Sequence, residues 1–498
     1  MKKGDKVHLI GIKGVGMTAL AQILLARGCK VTGSDGPEEF FTDAVLKWLK
    51  IPVAQKFAAK NIPVDVDVVV SSVAYYFGGK VLGSNPEVAE TLRLLAQGKK
   101  LALFTYPQAL GILANEYQVI AVAGSHGKST TTAMLGWILE QIGFEPNVLV
   151  GTKVNGWESN ARSSSKISGG KLGGRGSGPF LVIEADEYRD AFLNYKPFAA
   201  IITSIDYDHP DYFKTPAAYY NSFKKLVDNI DPKGFLVIEG DGKQTVKLSE
   251  YAKKCGLKVL TYGFSPENKM CRLVDEGIWP RVLARAPKPA LSPARHNAKI
   301  QSVCQLFSIL FYGRKIQGSV PFPGKQYVLN SGAAIVAAVM AGAGLEEATK
   351  AIATFPGTAR RMEVLKKTKN YIIIDDYAHH PTAITITLEG IRAMYPGRKI
   401  ICVFQPHMFS RTQALLKEFA KCFAPADIVG IMEIFPSARE TSGPVNGADL
   451  AHETQKFHKH VTYLPTMESG KQFVKQFLKE NNMIVLMGAG DVYKIAEQ

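Results

Sequence analysis

Residues 121–135 read AVAGSHGKSTTTAML, an apolar run that breaks into a glycine turn and resumes as Lys-Ser ahead of threonines and apolar residues. A strand, a glycine turn and a helix starting at Lys128-Ser129 aim backbone N–H groups and the positive end of the helix at a bound phosphate. The common phosphate loop separates its glycines by about four residues; here Gly124 and Gly127 enclose only Ser125 and His126. Lys128 can bridge terminal phosphates as a point charge, and the Ser129 hydroxyl can ligate Mg²⁺.

Working outward, the strand YQVIAVAG enters the loop. The strands FLVIEADE (180–187), AAIITSID (199–206) and GFLVIEGD (234–241) follow it. EADEYRDAF (184–192) ends its strand in Glu184, Asp186 and Glu187, acids able to hold Mg²⁺ directly or through water. SIDYDHPDYF (204–213) adds Asp206, Asp208, His209 and Asp211 after the next strand. Ser129, Glu184 and His209, each at a strand end, suggest a two-metal phosphoryl-transfer site.

Before the loop, VHLIGI, MTALAQILLARG and KVTGSD alternate strand, helix and strand, and VDVVVSSV (65–73) and PEVAETLRLLAQG continue the pattern. This predicts a parallel sheet over residues 1–115. Its glycine turn, GIKGVGMTA, carries Gly11, Gly14 and Gly16, with Asp35 after the second strand, which meets the loose dinucleotide fingerprint. A nicotinamide-dependent NAD(P) oxidoreductase is therefore an alternative, but it leaves the short phosphate loop and its acids unexplained.

After the loop, SSSKISGGKLGGRGSG (163–178) has no apolar periodicity and reads as a mobile surface loop. Residues 258–323 predict short strands as a small antiparallel addition, and NSGAAIVAAVMAGAG (330–344) a helix. From GTARRMEV onward, YIIIDDYAHHP, KIICVFQPH, ADIVGIMEIF and NMIVLMGAG predict four strands ending in polar residues. Asp375, Asp376, His379, His380, His407, Arg411, Arg439 and Glu440 stand at or just beyond those ends, with Arg360 and Arg361 at the entry. An Asp there can orient a histidine, bind a ribose or bind an amine. The expected fold class is α/β with three domains. A Rossmann-like N-terminal domain (1–115) and a Rossmann-like C-terminal domain (358–498) flank a central P-loop-type domain (116–357) with a parallel sheet.

Composition sets the limits. A chain of 498 residues, 46% hydrophobic and 21% charged, fits about three domains of ordinary globular composition. No apolar run approaches the ~18 residues of a membrane span, and MKKGDKVHLIGIKGVGM reads as a first strand rather than a signal peptide. Six scattered cysteines without a C-x-x-C pair fit reduced thiols in a cytoplasm. The formal charge of +16 is spread along the chain, thickening at 162–175 and 269–299. No zinc-finger spacing, heptad or RNA-binding aromatic signature accompanies it, so no nucleic acid and no membrane partner is expected.

The motifs in order resemble the Mur ligases, cytoplasmic enzymes that add amino acids to the UDP-muramyl precursor of peptidoglycan. GSHGKSTTT resembles that family's GTHGKTTT loop. HLIGIKGVGM, GSD, VVVSSV, SNPEV, EADE, DHPDYF, RRME, DDYAHHPT, FQPHMFSRT and SARE follow the same family along nearly the whole chain. DHPDYF and FPSARE most resemble the alanine-adding branch, and EADEYRDAF also resembles the branch that reattaches recycled murein tripeptide.

The resemblance implies an ATP- and Mg²⁺-dependent ligase. It would join L-alanine, or alternatively the tripeptide, to the carboxylate of UDP-N-acetylmuramate through an acyl phosphate, acting in a cytoplasm as monomer or homodimer. It implies UDP-sugar contacts at Gly14, Gly16, Asp35 and Ser72. ATP contacts would fall at Gly124, Ser125, His126, Gly127, Lys128, Ser129, Thr130, Asn330, Arg361, Asp375 and Asp376. Ser129, Glu184 and His209 would be the metal positions, and Lys128, Glu184, His209, His379 and Arg411 the catalytic set, with His379, His380 and Arg411 on the amino-acid side. The chain departs from the family at Gln326 and Tyr327, where His-Asn is usual, and at Met408, often arginine. Lys224 stands where sister ligases carry a carbamylated lysine, a device the alanine-adding branch generally lacks, so an unmodified lysine is expected.

Overall fold

Apolar runs of four to six residues, each closed by a glycine or a polar turn, become the parallel strands of the three sheets. The computed structural model describes residues 1–81, 84–164, 179–280, 303–436, 440–479 and 481–497. Most of the Ser/Gly-rich stretch at 163–178, much of the basic stretch at 269–299, and Arg439 lie outside them. The chain forms two compact units. The first comprises Met1–Ile205, Asn221–Gly263 and Ala333–Ile352; the second comprises Asp206–Tyr220, Phe264–Gly332 and Ala353–Gln498.

The first unit opens with β1 (Lys6–Ile10), α1 (Val15–Ala26), β2 (Lys30–Ser34), α2 (Phe41–Trp48), β3 (Val53–Ala54) and β4 (Val68–Ser71). The hairpin strands β5 (Tyr76–Phe77) and β6 (Lys80–Val81), then α3 (Pro86–Ala96), β7 (Ala102–Thr105) and α4 (Tyr106–Ala114) complete this part. The sheet order is β3-β2-β1-β4-β7, all parallel, as in one half of a dinucleotide-binding fold. Asn85 caps α3 by accepting from the Glu87 and Val88 amides, with Pro86 at the first helical position. Gly98, at φ +78°, follows the helix, as the sequence predicts.

Next come β8 (Gln118–Ala123), α5 (Lys128–Gln141), β9 (Asn147–Val154), β10 (Ser159–Arg162), β11 (Phe180–Glu184), β12 (Ala199–Ile202), α6 (Pro216–Asp228), β13 (Phe235–Glu239), α7 (Lys243–Lys254) and β14 (Lys258–Gly263). These strands run in the order β10-β9-β11-β8-β12-β13-β14. The β9–β10 pair is antiparallel and the other described pairs are parallel. Helix α5 is buried along almost its whole length, so its apolar residues face neighbours on every side. Side-chain bonds tie β10 to α1: Asn160 Nδ2 donates to the Val15 carbonyl at 2.6 Å, Ser159 Oγ to Gln22 Oε1 at 2.7 Å, and Gln22 Nε2 to Asn160 Oδ1 at 3.3 Å.

In the second unit β15 (Cys271–Pro280), β16 (Val303–Phe311) and β17 (Arg314–Val320) form an antiparallel meander. The expected antiparallel addition is therefore present but its strands are long, at 10, 9 and 7 residues, and β14 belongs to the parallel part. Helix α8 (Lys325–Met340) begins at Lys325 rather than at Asn330 and passes into the first unit at Ala333, where α9 (Leu345–Ile352) also belongs. The C-terminal sheet has the order β18-β19-β23-β20-β21-β22. Its strands are β18 (Glu363–Lys367), β19 (Tyr371–Asp376), β20 (Ile400–Phe404), β21 (Ile428–Met432), β22 (Val461–Leu464) and β23 (Asn482–Met487). Only β18 is antiparallel among the described pairs. Its core packs Ile373, Ile401, Val403, Ile484 and Leu486 against Phe473 and Val492.

Candidate active site

The short loop is shaped by the strand beside it. Gly124 has φ +134°, and a Cβ there would meet the Thr203 hydroxyl and lie 2.9 Å from the Ser204 amide nitrogen, so a side chain would force the loop off β12. The Ser125 amide donates to the Ser204 carbonyl at 3.2 Å, the His126 amide to Ser204 Oγ at 3.0 Å, and Thr203 Oγ1 to the His126 carbonyl. Gly127, at φ +79°, is the left-handed residue that turns the chain into α5. Ser129 and Thr130 lie in the first turn of that helix and are buried.

Lys128 Nζ donates to the Gly124 carbonyl at 2.6 Å and to both oxygens of Glu187, at 3.0 and 2.9 Å. Burial alone would lower the Lys128 pKa. The Glu187, Asp186 and Glu184 carboxylates outweigh it and hold the ammonium above its ordinary value. Ser129 Oγ donates to Glu184 Oε1 at 2.9 Å, and the Gly151 amide to Glu184 Oε2 at 2.6 Å. A hydroxyl and a carboxylate oxygen in contact, beside a helix N-terminus, are the donor set a hard cation takes.

The N-terminal glycine turn belongs to the same unit. Gly11 has φ +82°, and a Cβ there would sit 3.0 Å from Ser72 and from the Tyr75 ring. Gly14 is the N-cap of α1. Asp35 accepts from the Lys13 and Gly36 amides at 2.7 and 2.8 Å, and burial raises its pKa. Lys13 was not singled out in the sequence. It is fully buried, with Nζ donating to the carbonyls of Gly36 and Glu38, to Gln55 Oε1 and to Asp43. Lysine beside glycine turns ordinarily points to solvent, so sequence carried no signal for it.

The second unit brings together residues far apart in sequence. Arg411 is bidentate on Asp208, with Nε to Oδ1 at 2.9 Å and a terminal nitrogen to Oδ2 at 3.2 Å, both side chains buried. Burial would raise the Asp208 carboxyl, but Arg411, His209 and His379 outweigh it and hold its pKa well below the carboxylate range. His209 follows directly in a left-handed conformation, φ +56°. His379 Nδ1 lies 2.9 Å from the Tyr377 carbonyl. A carbonyl only accepts, so the proton is on Nδ1 and the lone pair on Nε2. Burial first, then the Arg411 charge, pushes the His379 pKa well below its ordinary value, so the ring is neutral near pH 7.

Asp376 accepts from the Met362 and Ala378 amides at 2.9 Å each. Asp375 accepts from Arg360 Nε at 3.0 Å, and its pKa is raised to about 6, first by burial and against the Arg360 charge. Arg360 also lies over the Tyr377 and Tyr493 rings, and Arg361 over Tyr377. Asn330 is buried on α8, where Tyr327 stacks on Phe322 at 5.1 Å between ring centroids. Gln326 Oε1 is buried without a hydrogen-bond partner among the described residues. Met408 is buried at φ +71° and caps α11 (Phe409–Ala414). Lys224 Nζ stands 4.2 Å over the Tyr251 ring. His380 is buried ahead of α10 (Pro381–Met394), and Glu440 Oε2 accepts from the Ser410 amide at 3.0 Å.

Three sequence families match along the chain. The Mur ligase family catalytic domain covers residues 6–118, the Mur ligase middle domain 122–338, and the Mur ligase glutamate ligase domain 360–490. A UDP-N-acetylmuramate–L-alanine ligase of Desulfitobacterium hafniense is 36% identical over 494 residues, 99% of this chain and 98% of that one. The chain belongs to the Mur ligase family. A second relative of that name, from Treponema pallidum, is 34% identical, covering 99% of this chain and 96% of that one. Among solved structures, the UDP-N-acetylmuramate–alanine ligase MurC of Thermotoga maritima superposes with a TM-score of 0.74 at 24% identity, covering 99% of this chain and 97% of that one. A murein peptide ligase of Psychrobacter arcticus gives a TM-score of 0.66 at 22% identity, covering 99% and 98%. These likenesses support the α/β fold of a Mur ligase, and the names of the sequence relatives favour a ligase over a nicotinamide oxidoreductase.

Proposed function

We propose that this protein is an ATP-dependent UDP-N-acetylmuramate–L-alanine ligase that releases ADP and phosphate. The observation that carries the reading is the full-length similarity to ligases of that name, joined to a phosphate loop whose lysine and serine meet acids at hydrogen-bond distance. Domains 1–115, 116–357 and 358–498 then hold the sugar nucleotide, the ATP and the amino acid.

The amides of Gly127, Lys128 and Ser129 and the α5 dipole receive the ATP phosphates, while the Ser125 and His126 amides hold the loop to Ser204; Lys128 moves from Glu187 to the transferring phosphoryl group. Ser129 and Glu184 would hold Mg²⁺, which would neutralise charge on the phosphates; His209 is a metal position by its motif alone. The muramyl carboxylate attacks the γ-phosphate, ADP departs, and the amine of L-alanine displaces phosphate from the acyl phosphate. His379, neutral and with its Nε2 lone pair, accepts the hydrogen bond of the amine and receives its proton. Arg411 serves that side by holding Asp208, and Asn330, Arg361, Asp375 and Asp376 serve the nucleoside end of ATP.

The reading is tested by phosphate release from ATP with purified protein, Mg²⁺ and UDP-N-acetylmuramate. Single amino acids and L-Ala-D-Glu-meso-diaminopimelate are supplied in parallel. Release dependent on L-alanine is expected. Release only with the tripeptide assigns the protein to peptidoglycan recycling, and no release with any acceptor overturns the ligase reading.

A further inference from the structure

Four strand ends of the N-terminal sheet reach one level. Ile10 pairs with Ser34 on one side and Ser71 on the other, and Ser71 pairs with Thr105. The next residue on each strand is therefore Gly11, Asp35, Ser72 and Tyr106, a single rim at the carboxyl edge where ligands of open α/β sheets bind. Sequence motifs brought out the first three. Tyr106 completes the row and has no part in the mechanism above.

Its placement is specific. Tyr106 is the first residue of α4, behind the capping residue Thr105. Its half-buried phenol stands over Gly16: a Cβ on that glycine would lie 2.8 Å from the Tyr106 ring carbon Cζ and 2.9 Å from its hydroxyl. The helix behind it is pressed on the segment that follows the acids. A Cβ on Gly111 would run into the Asn194 carbonyl. Glu184 and Asp186 act on the phenol electrostatically. The hydroxyl thus stands against the glycine turn and within electrostatic reach of the acids beside the phosphate loop.

We propose that Tyr106 is a substrate-binding residue whose phenolic O–H donates a hydrogen bond to the lactyl carboxylate of the muramyl sugar, presenting that carboxylate toward the phosphate loop. Burial, then the Glu184 and Asp186 charges, push the phenol upward from its ordinary value, so it is a neutral donor over the whole working range. A neutral donor suits this position, because it binds an anion without forming an ion pair with the neighbouring acids. The inference rests on the sugar-nucleotide reading above.

The test is calorimetric binding, without ATP, of UDP-N-acetylmuramate and of UDP-N-acetylglucosamine, which lacks the carboxylate. Tyr106→Phe keeps the ring on Gly16, so its thermal midpoint should match wild type. Its affinity for the muramyl nucleotide should fall about tenfold, the ordinary worth of a hydrogen bond to a charged group, with affinity for the glucosamine nucleotide unchanged. Equal loss for both nucleotides, or no loss, overturns the proposal while leaving the ligase reading intact. Tyr106→Leu, which removes the phenol without altering the glycine turn, gives a second route to the same selectivity should the first variant fold poorly. Failure of wild type to bind either nucleotide overturns the sugar-nucleotide reading itself, and this inference with it.

Discussion

Lys128 feels three carboxylates, and Glu187 pairs with its charge. Lys128→Ala should reduce ligation by at least about two orders of magnitude, the usual cost of removing a group that meets developing charge. It should leave the dissociation constant of UDP-N-acetylmuramate within about twofold, as separate turnover and calorimetric measurements will check. Glu87 makes a different use of a buried charge. It accepts from His8 at 3.3 Å, from Ser34, from the Ala58 amide at 3.1 Å and from Asn61 at 2.6 Å. Burial opposes its charge, but these donors outweigh it and lower the pKa. Its contribution to stability is therefore full above the unfolded carboxyl value and is lost as pH falls through the folded one. Asp375 has the opposite sign. Its pKa is raised to about 6, so the folded state binds more protons than the unfolded one between about pH 4 and 6, and stability falls as pH rises through that window. Asp375→Asn should raise stability at pH 8 by on the order of 2 kcal/mol, read by urea denaturation, while weakening ATP binding.

At the scale of elements, the loop and its bordering strand act as one piece. Gly124→Ala should abolish ATP binding through the clash with Thr203 and Ser204 and leave UDP-sugar binding intact; full nucleotide affinity in that variant would sink the account of the loop. The Asp208–Arg411 pair joins the 206–220 segment to α11 inside the second unit. Either Asp208→Asn or Arg411→Met alone should cost about 3–5 kcal/mol, and the double variant less than the sum, because each single change leaves one buried charge. The apolar strands and long helices were legible in the sequence because burial on both faces writes a continuous apolar run. The edge strands β3, β10, β18 and β22 were not, since β3 has only two residues and the others are partly polar. The first turn of α8, from Lys325, was not read in the sequence; stacking of Tyr327 on Phe322 secures it.

For the whole molecule, each compact unit carries a definable share of the machinery. The first holds the rim of the N-terminal sheet, the phosphate loop and Glu184; the second holds Asn330, Asp375 and His379. UDP-N-acetylmuramate alone should therefore slow amide exchange at residues 11–16, 34–36, 72 and 106, leaving exchange in the 360–490 region unchanged. At one hundred times its dissociation constant it should stabilise the fold by about 2.7 kcal/mol. A monomer of 54.3 kDa or a homodimer is our reading of the oligomeric state, which sedimentation decides. No described helix is long and apolar enough to cross a membrane.

Sequence by itself determined what depends on local order along the chain. That comprises the α/β alternation, the short phosphate loop, the acids at the next strand ends and the family those motifs resemble. Tertiary structure alone decided which groups meet: Lys128 with Glu187, Arg411 with Asp208 across 203 residues, Lys13 buried in a cage of acceptors, and Tyr106 over Gly16. The division has a physical cause. Periodicity and turn chemistry act between near neighbours and are written in the residue order. Burial, pairing and pKa depend on distances between chain segments, which exist only once the sheets have formed.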